Sequence, residues 1–347
     1  MKKILSIMMS FMFILTAVIP ANATSFIEDD FYVSSELFEL EKSTQTEKNK
    51  SVTVLTKHSN GQIIQEEKDF SNRNTATFQF DKKPMILEPI TPDNNTISYS
   101  SSTNSRGQVT QSNDPRTGVL ECGFDTNNDG YSDVWFDVTA SIQGYDIVVS
   151  CAHGVWMSQY QYLDCEGWAN DLYFYAGCQN ISTYLDVSSY VSVSISMGWI
   201  ENTEYITDVN GNLVEVNSTD DDWSIIQIED NFGSRFGAYG LHGCGTPEMN
   251  VPIYVIGYPE SKPDWSQWKS TGNIIGFENY TMYYDAFVEP GNSGSPILNS
   301  DLLYGIVGGG IVDYYTGNYL NGYGVRMFPE LFGMIAEARE ESEERWL

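Results

Sequence analysis

The chain has 347 residues, enough for two domains of ordinary size, and 41% of them are apolar, enough for a packed core. Eighteen basic residues against 47 acidic ones give a net charge of −29, which repels nucleic acid and anionic membranes and excludes both as partners. Beyond Pro20 no apolar run is long enough to cross a membrane.

Met1-Lys2-Lys3 is a short basic start, and the apolar run Ile4 to Pro20 leads into the small-x-small sequence Ala21-Asn22-Ala23. This is the pattern of a cleaved export signal, so residues 1–23 are read as a signal peptide and the chain as secreted. From Thr24 to about Leu87 the sequence is charged and mixed, and residues 89–115 are dominated by Ser, Thr, Asn, Gln and Pro. Residues 24–116 are therefore expected to form a pro-segment and polar linker, with 117–347 as the functional domain. Cleavage is expected within the exposed linker or shortly after it, following Arg106 or Arg116.

The loop Asp125-Thr126-Asn127-Asn128-Asp129-Gly130-Tyr131-Ser132-Asp133 comes next. Oxygen side chains at its positions 1, 3, 5 and 9, with Gly at 6, match a calcium loop whose ligands are Asp125, Asn127, Asp129, Asp133 and the Tyr131 carbonyl. It resembles the short loops of dockerins and thrombospondin repeats. Position 12 is Phe136, so a full EF-hand is excluded, and a polar hairpin turn is the alternative. A structural calcium ion is the one cofactor this chain suggests.

After Gly118, short runs alternate apolar and polar residues and are separated by Gly, Asn, Asp and Pro: Asp146–Ser150, Val191–Trp199, Ser224–Ile228, Pro252–Gly257, Tyr283–Val288 and Leu302–Val307. Many short strands without intervening amphipathic helices indicate an all-β barrel or sandwich. One helix is expected at the end, where Pro329 and Glu330 suit a helix start and Leu331, Phe332, Ile335 and Ala338 recur at helical spacing. Its five acidic residues between Glu337 and Glu344 read as a solvated face.

Three segments carry chemistry. Asp146 to His153 is a buried strand ending in small residues, from which His153 can project into a cleft. Asp220-Asp221-Asp222 stands before the apolar strand at Ser224, where Asp222 can be buried and orient an imidazole. In Gly291-Asn292-Ser293-Gly294-Ser295-Pro296 the glycines permit a sharp turn. Ser293 is then placed as a nucleophile, with the N–H groups of Gly291 and Ser293 as an oxyanion hole. His153 precedes Asp222 by 69 residues and Asp222 precedes Ser293 by 71.

The runs Val148 to His153, Asp222 to Ile226 and Gly291 to Pro296 resemble the three signatures of trypsin-like serine proteases, in the His…Asp…Ser order of chymotrypsin. The Gly-Asn-Ser-Gly-Ser-Pro form and Val255-Ile256-Gly257-Tyr258-Pro259 resemble the bacterial glutamyl endopeptidase branch. The likeness covers roughly residues 117–345. It implies two six-stranded antiparallel barrels with a His153, Asp222, Ser293 triad between them, and a secreted, monomeric endopeptidase acting on protein or peptide substrates after loss of a pro-segment. A catalytically silent barrel, serving as a calcium-stabilised surface binding module, is the alternative.

Two features depart from the pattern. Asn292 replaces the aspartate that pairs with a new N-terminus in trypsins, so activation by that ion pair is not expected. Cys151 stands where trypsins have a small residue, and no cysteine follows His153 directly. Five cysteines permit two disulfides: Cys165 with Cys178, and Cys122 with Cys244, leaving Cys151 a buried thiol, although spacing does not fix the pairing. By the same resemblance the specificity pocket is lined by Phe287, Val288, Val307 and Gly308. Val288 and Val307 stand where glutamyl endopeptidases have threonine and histidine, so an uncharged, apolar side chain is expected there instead of Glu.

Overall fold

The computed structural model describes residues 51–71, 73, 75–77, 109–157, 167–202, 204–207, 213–216, 219–244, 248–312 and 319–347. The expected signal peptide and most of the polar linker lie outside the described residues. In chain order the first elements are β1 (Ser51–His58), β2 (Ile63–Asp69) and β3 (Val109–Gln111). A second group follows: β4 (Thr117–Phe124), β5 (Val134–Ile142), β6 (Ile147–Ser150), β7 (Trp156–Met157), β8 (Gly167–Trp168), β9 (Asp171–Ala176) and β10 (Asp186–Ser196). Then come α1 (Met197–Glu201), β11 (Glu204–Thr207), β12 (Leu213–Val216), β13 (Ser224–Ile228), α2 (Phe232–Phe236) and β14 (Gly240–Leu241). The last are β15 (Pro252–Gly257), β16 (Trp268–Glu278), β17 (Thr281–Tyr284), β18 (Pro296–Asn299), β19 (Leu302–Val312), β20 (Tyr319–Arg326) and α3 (Pro329–Trp346).

Two antiparallel barrels result. The first runs β13-β6-β5-β4-β9-β10 and closes through β10–β13; the second runs β19-β18-β15-β16-β17-β20 and closes through β19–β20. Alternation explains the outer strands: in β9, Leu172, Phe174 and Ala176 point inward while Asp171, Tyr173 and Tyr175 are half-buried. β6 is different, being buried at all four positions. Val148 packs into the first barrel, whereas Ile147 and Val149 join a second cluster with Ile256, Leu298, Ile306 and Leu331. β13 divides in the same way, with Ile226 and Ile228 on the first core and Ile225, together with Trp223 just before the strand, on the second. Core on both faces is what keeps apolar residues at successive positions of these two strands.

Three strand expectations are corrected at their ends. The strand expected at 191–199 begins at Asp186 and stops at Ser196, whose hydroxyl accepts from Gly198 N–H at 3.0 Å and starts α1. The strand expected at 283–288 is β17, and it ends at Tyr284 because Asp285 turns its carboxylate onto the Asn273 N–H at 2.5 Å. β19 runs past Val307 to Val312. The segment read as pro-segment also contributes to the fold, since β1 and β2 extend the first sheet beyond β10.

α3 lies with Leu331, Phe332, Met334 and Ile335 buried and Glu340, Glu341, Glu343 and Glu344 exposed. Its last turns are tied to the first barrel by Asp146, 2% exposed, which accepts from Arg345 Nε and Nη2 at 2.9 Å each and from Ser342 Oγ. Burial alone raises the Asp146 pKa, but the Arg345 fork and the Ser342 hydroxyl outweigh it and hold the carboxyl below its usual value. A depressed carboxylate stabilises the fold above its unfolded pKa of about 3.9, and that contribution disappears as pH falls through the lower folded value. Asp146→Asn is therefore expected to cost about 2 kcal/mol at neutral pH and to flatten the dependence of melting temperature on pH below about 4. Thermal melts from pH 2.5 to 7 provide the check.

Candidate active site

The β6–β13 register builds the first half of the site. Ser150 is paired with Ser224, so the residues leaving β6 run alongside those entering β13. Asp222 Oδ1 accepts from the N–H groups of Ala152 and His153 at 2.9 and 3.0 Å, and its Oδ2 lies 2.8 Å from His153 Nδ1. Both side chains are buried, Asp222 to 2% exposure and His153 to 4%. Burial lowers the imidazole pKa, but the facing Asp222 carboxylate outweighs it and raises the value well above the ordinary one, with Cys151 adding to the rise. Trp199 of α1 tilts over the imidazole at 6.4 Å between ring centres.

The three consecutive aspartates divide their work. Asp220 accepts from Tyr280 N–H and Thr281 Oγ of the second barrel, at 2.9 and 2.8 Å. Asp221 accepts from Ser196 Oγ at 2.6 Å, at the start of α1, and Asp222 alone reaches the imidazole. A run that resembles an exposed turn is thus three separate anchors.

The second half of the site is the turn between β17 and β18. Asn292 N–H donates to Glu289 O, Gly294 N–H to Val307 O and Ser295 N–H to Asn292 O, at 3.0, 2.8 and 2.9 Å. Among the described residues the N–H groups of Gly291 and Ser293 have no acceptor. These are the two amides expected to form the oxyanion hole. Gly291 and Gly294 have φ of +89° and +78°, a region costly for other residues. At Gly294 a β-carbon would also collide with Ser150 Oγ and Thr139 O.

Thr139 of β5 joins the halves, and the sequence offered no sign of it. Its N–H donates to Ser293 O and its Oγ1 to Gly291 O, both at 2.8 Å, while Oγ1 accepts from Tyr258 N–H at 3.2 Å. Ser150 Oγ donates to Thr139 O at 2.7 Å, tying the same residue to the strand that ends at His153. A threonine in a strand looks like any other β-former, so only the tertiary contact reveals this role.

One contact expected of a nucleophile and its base is open. Ser293, 8% exposed, makes no side-chain hydrogen bond among the described residues, and His153 Nε2 faces Cys151 Sγ at 3.5 Å. Cys151, His153 and Asp222 lie within ligand reach of one another. The ring presents Nδ1 to Asp222 and Nε2 to Cys151, so one ion cannot use both partners through a single ring nitrogen. The other two histidines are elsewhere: His58 is in β1, and His242 stacks on Tyr304 at 3.7 Å.

The remaining expected site residues are placed as follows. Phe287 precedes the turn, its ring 5.0 Å from that of Tyr319, and Val288 and Val307 are buried together in the second barrel. Gly308 borders Asp222, since a β-carbon there would lie 3.4 Å from Oδ2. Asn292 is engaged within the turn, its Oδ1 accepting from Glu289 N–H at 3.2 Å. A cavity of about 310 Å³ bordered by His242, Glu248, Ile274, Tyr304 and Arg326 involves none of these groups.

In the 125–133 loop, Asp125 accepts from the N–H groups of Asp129 and Gly130, and Asp133 from Thr126 and Asn127. Asp125, Asp129 and Asp133 are not drawn together within ligand distance; among the described residues only Cys151, His153 and Asp222 are.

The expected Cys122–Cys244 pairing is corrected, because both are free thiols, as are Cys151 and Cys178. Cys122 lies in the first-barrel core, whereas Cys244 packs at the edge of the second cluster. Burial pushes Cys178 and Cys244 each up to about 12, where a thiol is a poor nucleophile. Cys165 lies outside the described residues.

No family model matches the chain. Among solved structures it is similar to a Glu endopeptidase, at 17% identity and a TM-score of 0.50 over 68% of this chain and 98% of that one. It is also similar to the protease Anisep from Arthrobacter nicotinovorans (13% identity, 67% and 99% covered, TM-score 0.49). A third is the scabies mite inactivated protease paralogue S-I1 (14% identity, 68% and 99% covered, TM-score 0.47). At this level of identity what is shared is architecture: two closed six-stranded barrels and a C-terminal helix, the fold of the chymotrypsin-like serine proteases.

Proposed function

We propose that this chain is a secreted serine endopeptidase. Ser293 Oγ attacks the scissile carbonyl while His153 Nε2 takes its proton, and the Gly291 and Ser293 N–H groups hold the oxyanion. His153 then gives the proton to the departing amine, and water repeats the sequence on the acyl-enzyme. Asp222 keeps the Nδ1 proton in place. The observation that carries this reading is the pair of amides flanking Asn292 that have no acceptor among the described residues, on a turn that Thr139 fastens to the barrel holding His153 and Asp222. A fluorophosphonate probe should label Ser293 at one equivalent per chain. Failure to label, or labelling unchanged in Ser293→Ala, would remove the proposal.

A second reading, a silent barrel used for binding, draws on the Cys151 sulfur standing at Nε2 where a hydroxyl is needed. Catalytic contacts are commonly loose before substrate binds, so this observation weighs less than the free amides. The same labelling experiment separates the two.

For specificity, the reading rests on residue type: Val288 and Val307, which pack in the second-barrel core, carry no hydrogen-bond donor for a carboxylate. Cleavage is expected after uncharged, apolar residues, with Glu and Lys disfavoured by at least tenfold, since each unpaired buried charge costs several kcal/mol. Peptide-library profiling checks it, and dominant cleavage after Glu would overturn the assignment of these positions.

Export and linker cleavage complete the proposal. Arg116 is a poor cleavage point because it is 7% exposed, forked onto Asp114 and paired with Asp301. Arg106 is the better one.

A further inference from the structure

The segment that sequence composition marks for removal is seated in the protein as a structural part. β1 pairs with β10 from Val54 opposite Ser196 to His58 opposite Ser192. β9 pairs only with residues 186–189 of β10, so β1 occupies the edge that β9 leaves vacant. Val54 is 1% exposed and packs in the cluster under α3, Thr56 Oγ1 meets Ser194 Oγ at 2.8 Å, and Lys57 Nζ donates to Ala169 O at 2.6 Å.

The chain then crosses α3 towards the second barrel. Lys68 pairs with Glu337 at 2.9 Å and Arg73 with Glu340 at 2.5 Å. Phe70, 6% exposed, lies against Gly333 so closely that any β-carbon there would strike its ring. Further on, Cys244 N–H donates to Thr75 O and Gly243 N–H to Thr77 Oγ1, both at 3.0 Å, and a β-carbon at Gly243 would come within 2.7 Å of Thr75 O. The segment thus fills two glycine notches and one strand edge. Without it, residues 192–196 would present unpaired backbone groups, a template for aggregation.

We infer that residues 51–77 remain bound to the barrel domain after the linker is cut, as a second, non-covalent chain of the mature protein. The inference rests on linker cleavage as proposed above, but its test does not. A recognition sequence for an unrelated protease is inserted between residues 95 and 105 of the Ser293→Ala chain, which is cut and passed through a sizing column under native conditions. Mass spectrometry of the barrel peak should show the N-terminal piece at one to one, released only by denaturant. Elution of a folded barrel domain without it would overturn the inference. Phe70→Ala and Val54→Asp should weaken retention at least tenfold, and unchanged retention in both would equally exclude this docking as its cause. If either variant fails to fold, a synthetic 51–77 peptide added to the stripped domain should restore the complex and raise its melting temperature; no effect of the peptide counts against the inference. Failure of the fluorophosphonate test, by contrast, leaves this result untouched.

Discussion

Ser293→Ala is expected to lower kcat by a factor of about 10⁴ to 10⁶ while leaving the melting temperature within about a degree, because catalytic residues act as a unit. Ser293 makes no side-chain hydrogen bond among the described residues, so losing its hydroxyl orphans no partner. His153→Ala should reach the same floor, and so should the double variant. In His153→Ala the Asp222 carboxylate keeps the two backbone N–H groups of residues 152 and 153 but loses its buried partner, so the loss of stability should be about 3–5 kcal/mol. Steady-state kinetics on a peptide substrate with parallel thermal melts measures both. More than a few per cent of activity in Ser293→Ala would end the nucleophile assignment, and additive losses would mean that the two residues do not share a step.

The next largest effect is expected from Asp222→Asn, about 10⁴ in kcat at neutral pH. The Asn carbonyl can still accept from the two backbone N–H groups, so the fold should persist. Its amide would donate to Nδ1, forcing the imidazole proton onto Nε2, where a base must be free. The pH profile gives a second readout. A base works when neutral, and its pKa is raised here by Asp222, so the acid limb of kcat/KM in the wild type should lie above the ordinary histidine value of about 6.5. Residual activity of the variant should show that limb displaced to lower pH. The same pairing stabilises the wild-type fold fully below pH ~6.5, and this contribution is lost as pH rises through the folded pKa. A limb unmoved by the substitution would disconnect Asp222 from the base.

Much of this site was legible because its strands are buried on both faces. β6 is a short apolar strand that stops three residues before His153, the mostly apolar β13 begins two residues after Asp222, and the turn at Ser293 carries its glycines openly. Their sum was visible as a spacing pattern. What stayed hidden is tertiary. Nothing local distinguishes Thr139 from other strand threonines, and nothing in Cys151 shows that its sulfur would come to 3.5 Å from Nε2. The docking of residues 51–77 was masked for another reason: β2 has exposed Gln65, Glu66 and Glu67, so its composition looks like linker although β1 beside it carries a buried valine. The Cys122–Cys244 pairing failed because sequence distance says nothing about which core a cysteine enters.

Thr139 also bears on how such a protein can change over generations. It sits in a strand of one barrel yet fixes the backbone of the Gly291–Ser293 turn in the other. Sliding β5 by a single position would turn its hydroxyl to the opposite face. The same slip would turn Phe136, Val138, Ala140 and Ile142 out of the first core, so the turn that carries Gly291 and Ser293 would lose its anchor together with the packing of the strand that holds it. Selection acting on turnover is therefore also selection on the alignment of a strand remote from the reacting atoms. Insertions and deletions should accumulate in the loops of this lineage and be purged between Val134 and Ile142.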